Sequence, residues 1–129
     1  MNKPKSTILF LDDSSEIRGF FKDNILPGLK RKFNVDCVAC SSYQEAGDSL
    51  SADVTIGVLD YCLGEARTGV DFYKEAREKY TDLPLIVFSS HLDISAKLFK
   101  MNEEDINLYV CENKNWNLLE EMLTNILNE

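Results

Sequence analysis

The chain has 129 residues, 44% hydrophobic and 28% charged, which is the balance of one folded domain spanning 1–129 rather than of a disordered chain. A net charge of −8, from 22 acids against 14 bases, sets it against phosphate backbones, so direct nucleic-acid binding is not expected. Apolar runs reach only about six or seven residues and no basic-apolar-small leader opens the chain, so membrane insertion and secretion are not expected and a cytoplasmic location is.

Thr7 to Leu11 reads as a first strand that runs straight into Asp12-Asp13. A helix follows from Ser14 or Ser15, with Ile17, Phe20, Phe21 and Ile25 at helical spacing. Pro27-Gly28 either ends this helix or kinks it into an extra turn reaching Lys32. Lys30-Arg31-Lys32, the tight basic cluster, suits the negative end of the helix dipole. Val35 to Ala39 is a second strand, and Ser42-Tyr43-Gln44-Glu45 a capping box opening a second helix that lasts to about Leu50. Val54 to Leu59 is a continuous apolar run ending in Asp60. A loop with Gly64 and Gly69 leads to a third helix, Val70 to Tyr80. Leu85 to Phe88, Ile94 to Met101, Leu108 to Cys111 and Trp116 to Leu127 read as strand, helix, strand and helix.

Five strand–helix units imply an α/β fold: a flavodoxin-like, doubly wound, five-stranded parallel sheet with helices on both faces. In the strand order 2-1-3-4-5 the first and third strands are neighbours and their C-terminal ends flank the switch point. Asp12, Asp13 and Asp60 would then converge. A helix cap explains one of these acids but not three. Three adjacent carboxylates favour a divalent cation between them, with Asp60 as the reacting group. Cys37 and Cys40, three apart on a strand, point to opposite faces and do not make a redox pair. All four cysteines, with Cys62 and Cys111, read as reduced thiols.

These residues resemble the receiver domain of two-component response regulators, of the stand-alone chemotaxis type. The likeness runs from Ile8-Leu9-Phe10-Leu11-Asp12-Asp13-Ser14 through Val58-Leu59-Asp60-Tyr61, Gly69 and Pro84-Leu85-Ile86-Val87-Phe88-Ser89-Ser90 to Leu108-Tyr109-Val110. The resemblance implies a phosphoprotein of two-component, phosphorelay signal transduction. Asp60 would accept a phosphoryl group from a sensor histidine kinase or phosphotransfer protein, and the signal would leave through a downstream effector protein. It further implies Mg2+ held by Asp13, Asp60, Asp12 partly through water, and the Cys62 backbone carbonyl. Magnesium suits oxygen ligands and keeps several waters. Ser89 would hydrogen-bond the phosphoryl group and Tyr109 would turn inward when Ser89 moves. Such a domain is not an enzyme in its own right, though it assists its own phosphorylation and dephosphorylation.

The signature lysine is where the sequence departs. Glu112 stands three residues after the aromatic, where the family has lysine, and Asn113 replaces the usual proline. Lys114 lies two residues later, on the same strand face if the strand continues, with its backbone displaced by roughly 6.6 Å. The loop from Glu112 to Asn115 is expected to bend so that the Lys114 amine points at Asp60 and Glu112 faces solvent. Cys62 and His91 stand where, in the family, variable residues flank the path of an attacking water, so the resemblance implies that they would set the lifetime of the phosphorylated state. Phe20 and Phe21 cannot both face one core stripe, so one of them is expected to offer an exposed contact to a kinase's helices. Trp116, in the last helix, is not expected to report on the acids. A haloacid-dehalogenase-type phosphatase would need a second Asp two residues past the nucleophile, where Ser15 and Cys62 stand instead. The remaining alternative is a pseudo-receiver, the same fold acting as a phosphorylation-independent interaction module, which Glu112 favours.

Overall fold

A computed structural model describes residues 4–61, 63–64, 67–90, 101 and 103–129. Strands β1 (Ser6–Leu11), β2 (Val35–Cys40), β3 (Ile56–Leu59), β4 (Leu85–Ser89) and β5 (Leu108–Glu112) form one parallel sheet in the order β2-β1-β3-β4-β5. This is the order expected from the sequence, and strand alternation explains how it is held. Ile8, Phe10, Ile56, Val58, Ile86, Phe88 and Cys111 point to one face, while Leu9, Leu11, Leu59, Leu85, Val87 and Leu108 point to the other. Each face therefore builds its own core, as a sheet covered on both sides requires.

Helices α1 (Ser15–Phe20), α2 (Leu26–Lys32) and α5 (Trp116–Leu127) cover the first face, through residues such as Leu29, Leu119 and Leu123. Helices α3 (Tyr43–Ser49) and α4 (Gly69–Lys79) cover the second, through Ala46, Phe72 and Ala76. Cys37 packs with the first core and Cys40 with the second, so the two thiols do face apart. Burial pushes the Cys37 thiol up to about 12, and it pushes Cys111 up to about 11 and Cys40 upward. Thiols held protonated in this way are poor nucleophiles.

Between α1 and α2 the rod does not end at Pro27. Phe21–Ile25 winds as a π-helical turn, with the Leu26 N–H bonded to the Phe21 carbonyl, and the helix then resumes to Lys32. Pro27 has no N–H, and its ring would crowd the carbonyl four residues back; widening the preceding turn relieves both problems. The widened turn buries Phe21 completely, stacked 4.4 Å from Phe10, and leaves Phe20 42% exposed.

Elsewhere the caps are local chemistry. Ser42 accepts from the Glu45 N–H, but the Glu45 carboxylate bonds the Ser41 hydroxyl, so the expected reciprocal box is only half made. A complete box forms at α4 instead, between Thr68 and Asp71. The strand Val54 to Leu59 shortens to Ile56–Leu59, because Thr55 pairs with Thr7 through its hydroxyl as well as its backbone. The expected helix Ile94 to Met101 lies, apart from Met101, outside the described residues.

Candidate functional site

The parallel ladder carries the acids to one end of the sheet. The Asp12 N–H donates to the Cys40 carbonyl at 3.1 Å, and the Asp60 N–H donates to the Leu11 carbonyl at 2.8 Å. Asp12 and Asp60 thus sit abreast, one step beyond the paired Leu11 and Leu59. One oxygen each from Asp12, Asp13 and Asp60 lies within 4.8 Å of the others. Asp12 and Asp60 are 1% and 5% exposed, whereas Asp13 is open to solvent.

Lys114 answers these acids. Its Nζ is 2.8 Å from Asp12 Oδ2 and 3.4 Å from Asp60 Oδ1. Three carboxylates against one ammonium leave an excess of negative charge, and like charges this close interact at about 4 kcal/mol for an intermediate dielectric. The consequence is visible at Asp60. Burial first, and then Asp12, push its carboxyl up to about 6 although Lys114 pulls the other way. Burial alone would lower the Lys114 amine, but its hydrogen bonds and charge contacts with Asp12 and Asp60 outweigh it and the net shift is upward.

The segment from Glu112 to Asn115 bends, as expected, and β5 is not extended to carry Lys114. β5 stops at Glu112, opposite Ser89, and the chain turns at once. Asn113 and Lys114 both adopt positive φ, 60° and 46°. The Asn115 N–H closes the turn on the Glu112 carbonyl at 3.3 Å, and the Lys114 N–H donates to the Ser89 carbonyl at 3.2 Å. Left-handed backbone costs roughly 1–2 kcal/mol for a residue such as lysine. A charge-assisted bond to a buried carboxylate contributes about 1.5–3 kcal/mol, enough to hold it. Glu112 is half-buried rather than turned wholly to solvent.

Two glycines shape the loop after Asp60. At Gly69 a Cβ would lie 2.0 Å from the Asp60 carbonyl oxygen, so no other residue fits where α4 begins. Gly64, at φ 68°, comes against Asp13, and a Cβ there would meet its Oδ2 at 2.9 Å. Asp12 is tied down on every side. Its Oδ1 accepts from the Ser14 N–H at 2.9 Å, and its backbone carbonyl accepts from Arg18 Nη1 at 2.8 Å. Ser14, not an aspartate, caps α1. With both Asp12 oxygens engaged, Asp13 and Asp60 are the freer donors for a cation and Asp12 the one suited to act through water.

Ser89 ends β4 beside this cluster, 5% exposed, and Tyr109 is half-buried against the core that contains Phe88. Cys62 and His91 lie outside the described residues. Trp116 is nearer the site than its place in the last helix suggested. Its ring is 4.8 Å from Phe88, whose own ring lies 6.0 Å from Lys114 Nζ, and the Phe20 ring is 4.6 Å from it. Sequence reading missed Arg18 as a support of Asp12. It also missed Asn113 as a turn residue, although asparagine just past a strand end is a turn signal.

Sequence comparison finds no matching family model and no matching curated protein. Comparison of structures finds many likenesses. One is the response regulator TrrA from Thermotoga maritima in complex with Mg2+-BeF, 21% identical over 95% of this chain and 99% of that one, TM-score 0.72. Another is the Vibrio cholerae chemotaxis protein CheY4, 18% identical over 96% and 100%, TM-score 0.71. A third is the receiver domain of the Francisella response regulator 1452, 17% identical over 98% of each chain, TM-score 0.73.

Proposed function

We propose that this chain, whose fold is that of response-regulator receiver domains, takes a phosphoryl group onto Asp60 and signals by the change that follows. The donor is the phosphohistidine of a sensor histidine kinase or phosphotransfer protein. As an Asp60 oxygen bonds phosphorus, the P–N bond breaks and the imidazole leaves, giving an acyl phosphate. One observation carries the reading: a buried carboxylate at a strand end, with two more acids and the Lys114 ammonium gathered around it. Phosphoryl transfer needs positioned charge more than covalent chemistry, and this cluster supplies it.

Asp13 and Asp60 would hold Mg2+, with Asp12 through water and the Cys62 carbonyl completing the set. The fit rests on the donors being all oxygen and on the raised Asp60 carboxyl, which a cation would relieve. When bound, the ion neutralises phosphoryl oxygens. The TrrA complex with Mg2+-BeF supports the same assignment by analogy of fold. Asp12 holds Lys114 in place, and Lys114 offers its charge beside Asp60. Ser89 would hydrogen-bond the transferred group, Tyr109 would respond to it, and an effector would read the change.

The test is incubation with acetyl phosphate and Mg2+, followed by intact mass. One added phosphoryl group is expected, lost in Asp60→Asn and on removing magnesium with a chelator. A folded protein that takes no label would instead make the chain a phosphorylation-independent adaptor.

A further inference from the structure

Glu112 occupies the end of β5 opposite Ser89, so the residue that would continue the strand toward the acids is an acid itself. The cation arrives only because the chain reverses. Two consecutive residues at positive φ, closed by the Asn115 N–H on the Glu112 carbonyl, are what a tight two-residue turn of the type I′ class requires. Asparagine tolerates the left-handed region far better than other residues with a side chain, and β-branched residues tolerate it least. The turn is also anchored across the sheet, through the Lys114 N–H on the Ser89 carbonyl at 3.2 Å. Asn115 then caps α5 by accepting from the Leu118 N–H at 3.1 Å, which fixes the far side of the turn.

We propose that Asn113 is a positioning residue: its left-handed backbone folds the Glu112–Asn115 segment back so that the Lys114 ammonium reaches Asp12 and Asp60. The proposal deepens the phosphoacceptor reading and rests on it for its kinetic consequence. Asn113 touches none of the reacting groups in this account; it acts through Lys114. The turn folds Lys114 back toward Asp12 and Asp60, whereas continuing β5 would carry its backbone roughly 6.6 Å along the strand direction. The placement is therefore sensitive to backbone conformation at 113 and not to the asparagine amide.

A double-mutant cycle tests it, using the rate of labelling by acetyl phosphate with Mg2+. Asn113→Gly, which keeps access to positive φ, should label within about threefold of wild type, while Asn113→Val should slow labelling about tenfold. Lys114→Met should slow it at least as much. Adding Asn113→Val to Lys114→Met should then cost nothing further, since a residue that acts only through the lysine has nothing left to place. Equal slowing by Asn113→Val in both backgrounds would mean a general structural role and overturn the proposal, as would wild-type rates in Asn113→Val. Thermal unfolding of each variant guards against loss of fold. A second readout is independent of phosphorylation: the Lys114 side-chain ammonium followed by nitrogen NMR. An ion-paired, exchange-protected signal should persist in Asn113→Gly and vanish in Asn113→Val. If wild type takes no label but this pattern holds, the phosphoacceptor reading falls and the positioning role stands; a signal unchanged in Asn113→Val removes the positioning role.

Discussion

Asp60 shows how one residue can be set against the stability of its own fold. Its carboxyl is pushed up to about 6, above the ordinary value near 3.9, by burial and by Asp12. A raised carboxyl stabilises the native state below its unfolded value and loses that contribution as pH rises through the folded value. Between about pH 4 and pH 6 the cation-free protein should therefore lose stability on the order of 2–3 kcal/mol from this group. Asp60→Asn removes this buried charge. Chemical denaturation without metal should find the variant more stable than wild type at pH 7 and about equal to it near pH 4. A variant less stable at pH 7 would show that the Lys114 contact outweighs burial and repulsion. Asp12, Asp13 and Asp60 could be found in the sequence because acids that end buried runs have few structural uses. Arg18 could not, since nothing in a helical arginine says that it will reach a backbone carbonyl six residues earlier.

At the scale of elements, periodicity located strands and helices, while the joints depended on chemistry it does not capture. α5 begins at Trp116 and ends at Leu127 as read from its pattern, because Asn115 caps a clean amphipathic stretch. For the first helix, Pro27 allows two outcomes, and the π-helical turn follows from a proline visible in the sequence and a relief that is not. That turn decides which phenylalanine is core. Phe21→Ala should cost about 3–5 kcal/mol by denaturant unfolding and Phe20→Ala under about 1 kcal/mol. Similar losses for both would contradict the turn. The reversal after β5 was visible as an expectation that Lys114 must bend inward, but a strand extension looked equally able to deliver it. Only the paired positive φ values separate these routes. Because Trp116 packs against Phe88 beside that reversal, its fluorescence should change on phosphorylation in wild type and change less in Lys114→Met. Emission that is indifferent to phosphorylation in a protein shown by mass to be labelled would disconnect the turn from the ring.

For the whole molecule, the sheet order makes the chemistry a rim property. The acids lie just past the ends of β1 and β3, and among the described residues no helix is long and apolar enough to cross a membrane. Phe20, at 42% exposure and packed against Trp116, is the exposed large apolar side chain of α1 and, on the proposed function, suits a contact with kinase helices. Phe20→Ala should slow transfer from a phosphorylated kinase while leaving labelling by acetyl phosphate unchanged; equal slowing of both would place Phe20 in the chemistry rather than in docking. The fold was legible because five alternating apolar runs admit few arrangements. The proposed function is legible only through residues at strand ends, and the placement of the Lys114 ammonium among them comes from a turn. On the proposed function, Asp60 carries the acyl phosphate. Borohydride reduces an acyl phosphate to an alcohol, so treating labelled protein with it and mapping peptides by mass reads the acceptor directly. Homoserine is expected at position 60 and at no other aspartate; homoserine at position 13, or reduction at neither, would contradict phosphoryl transfer to Asp60.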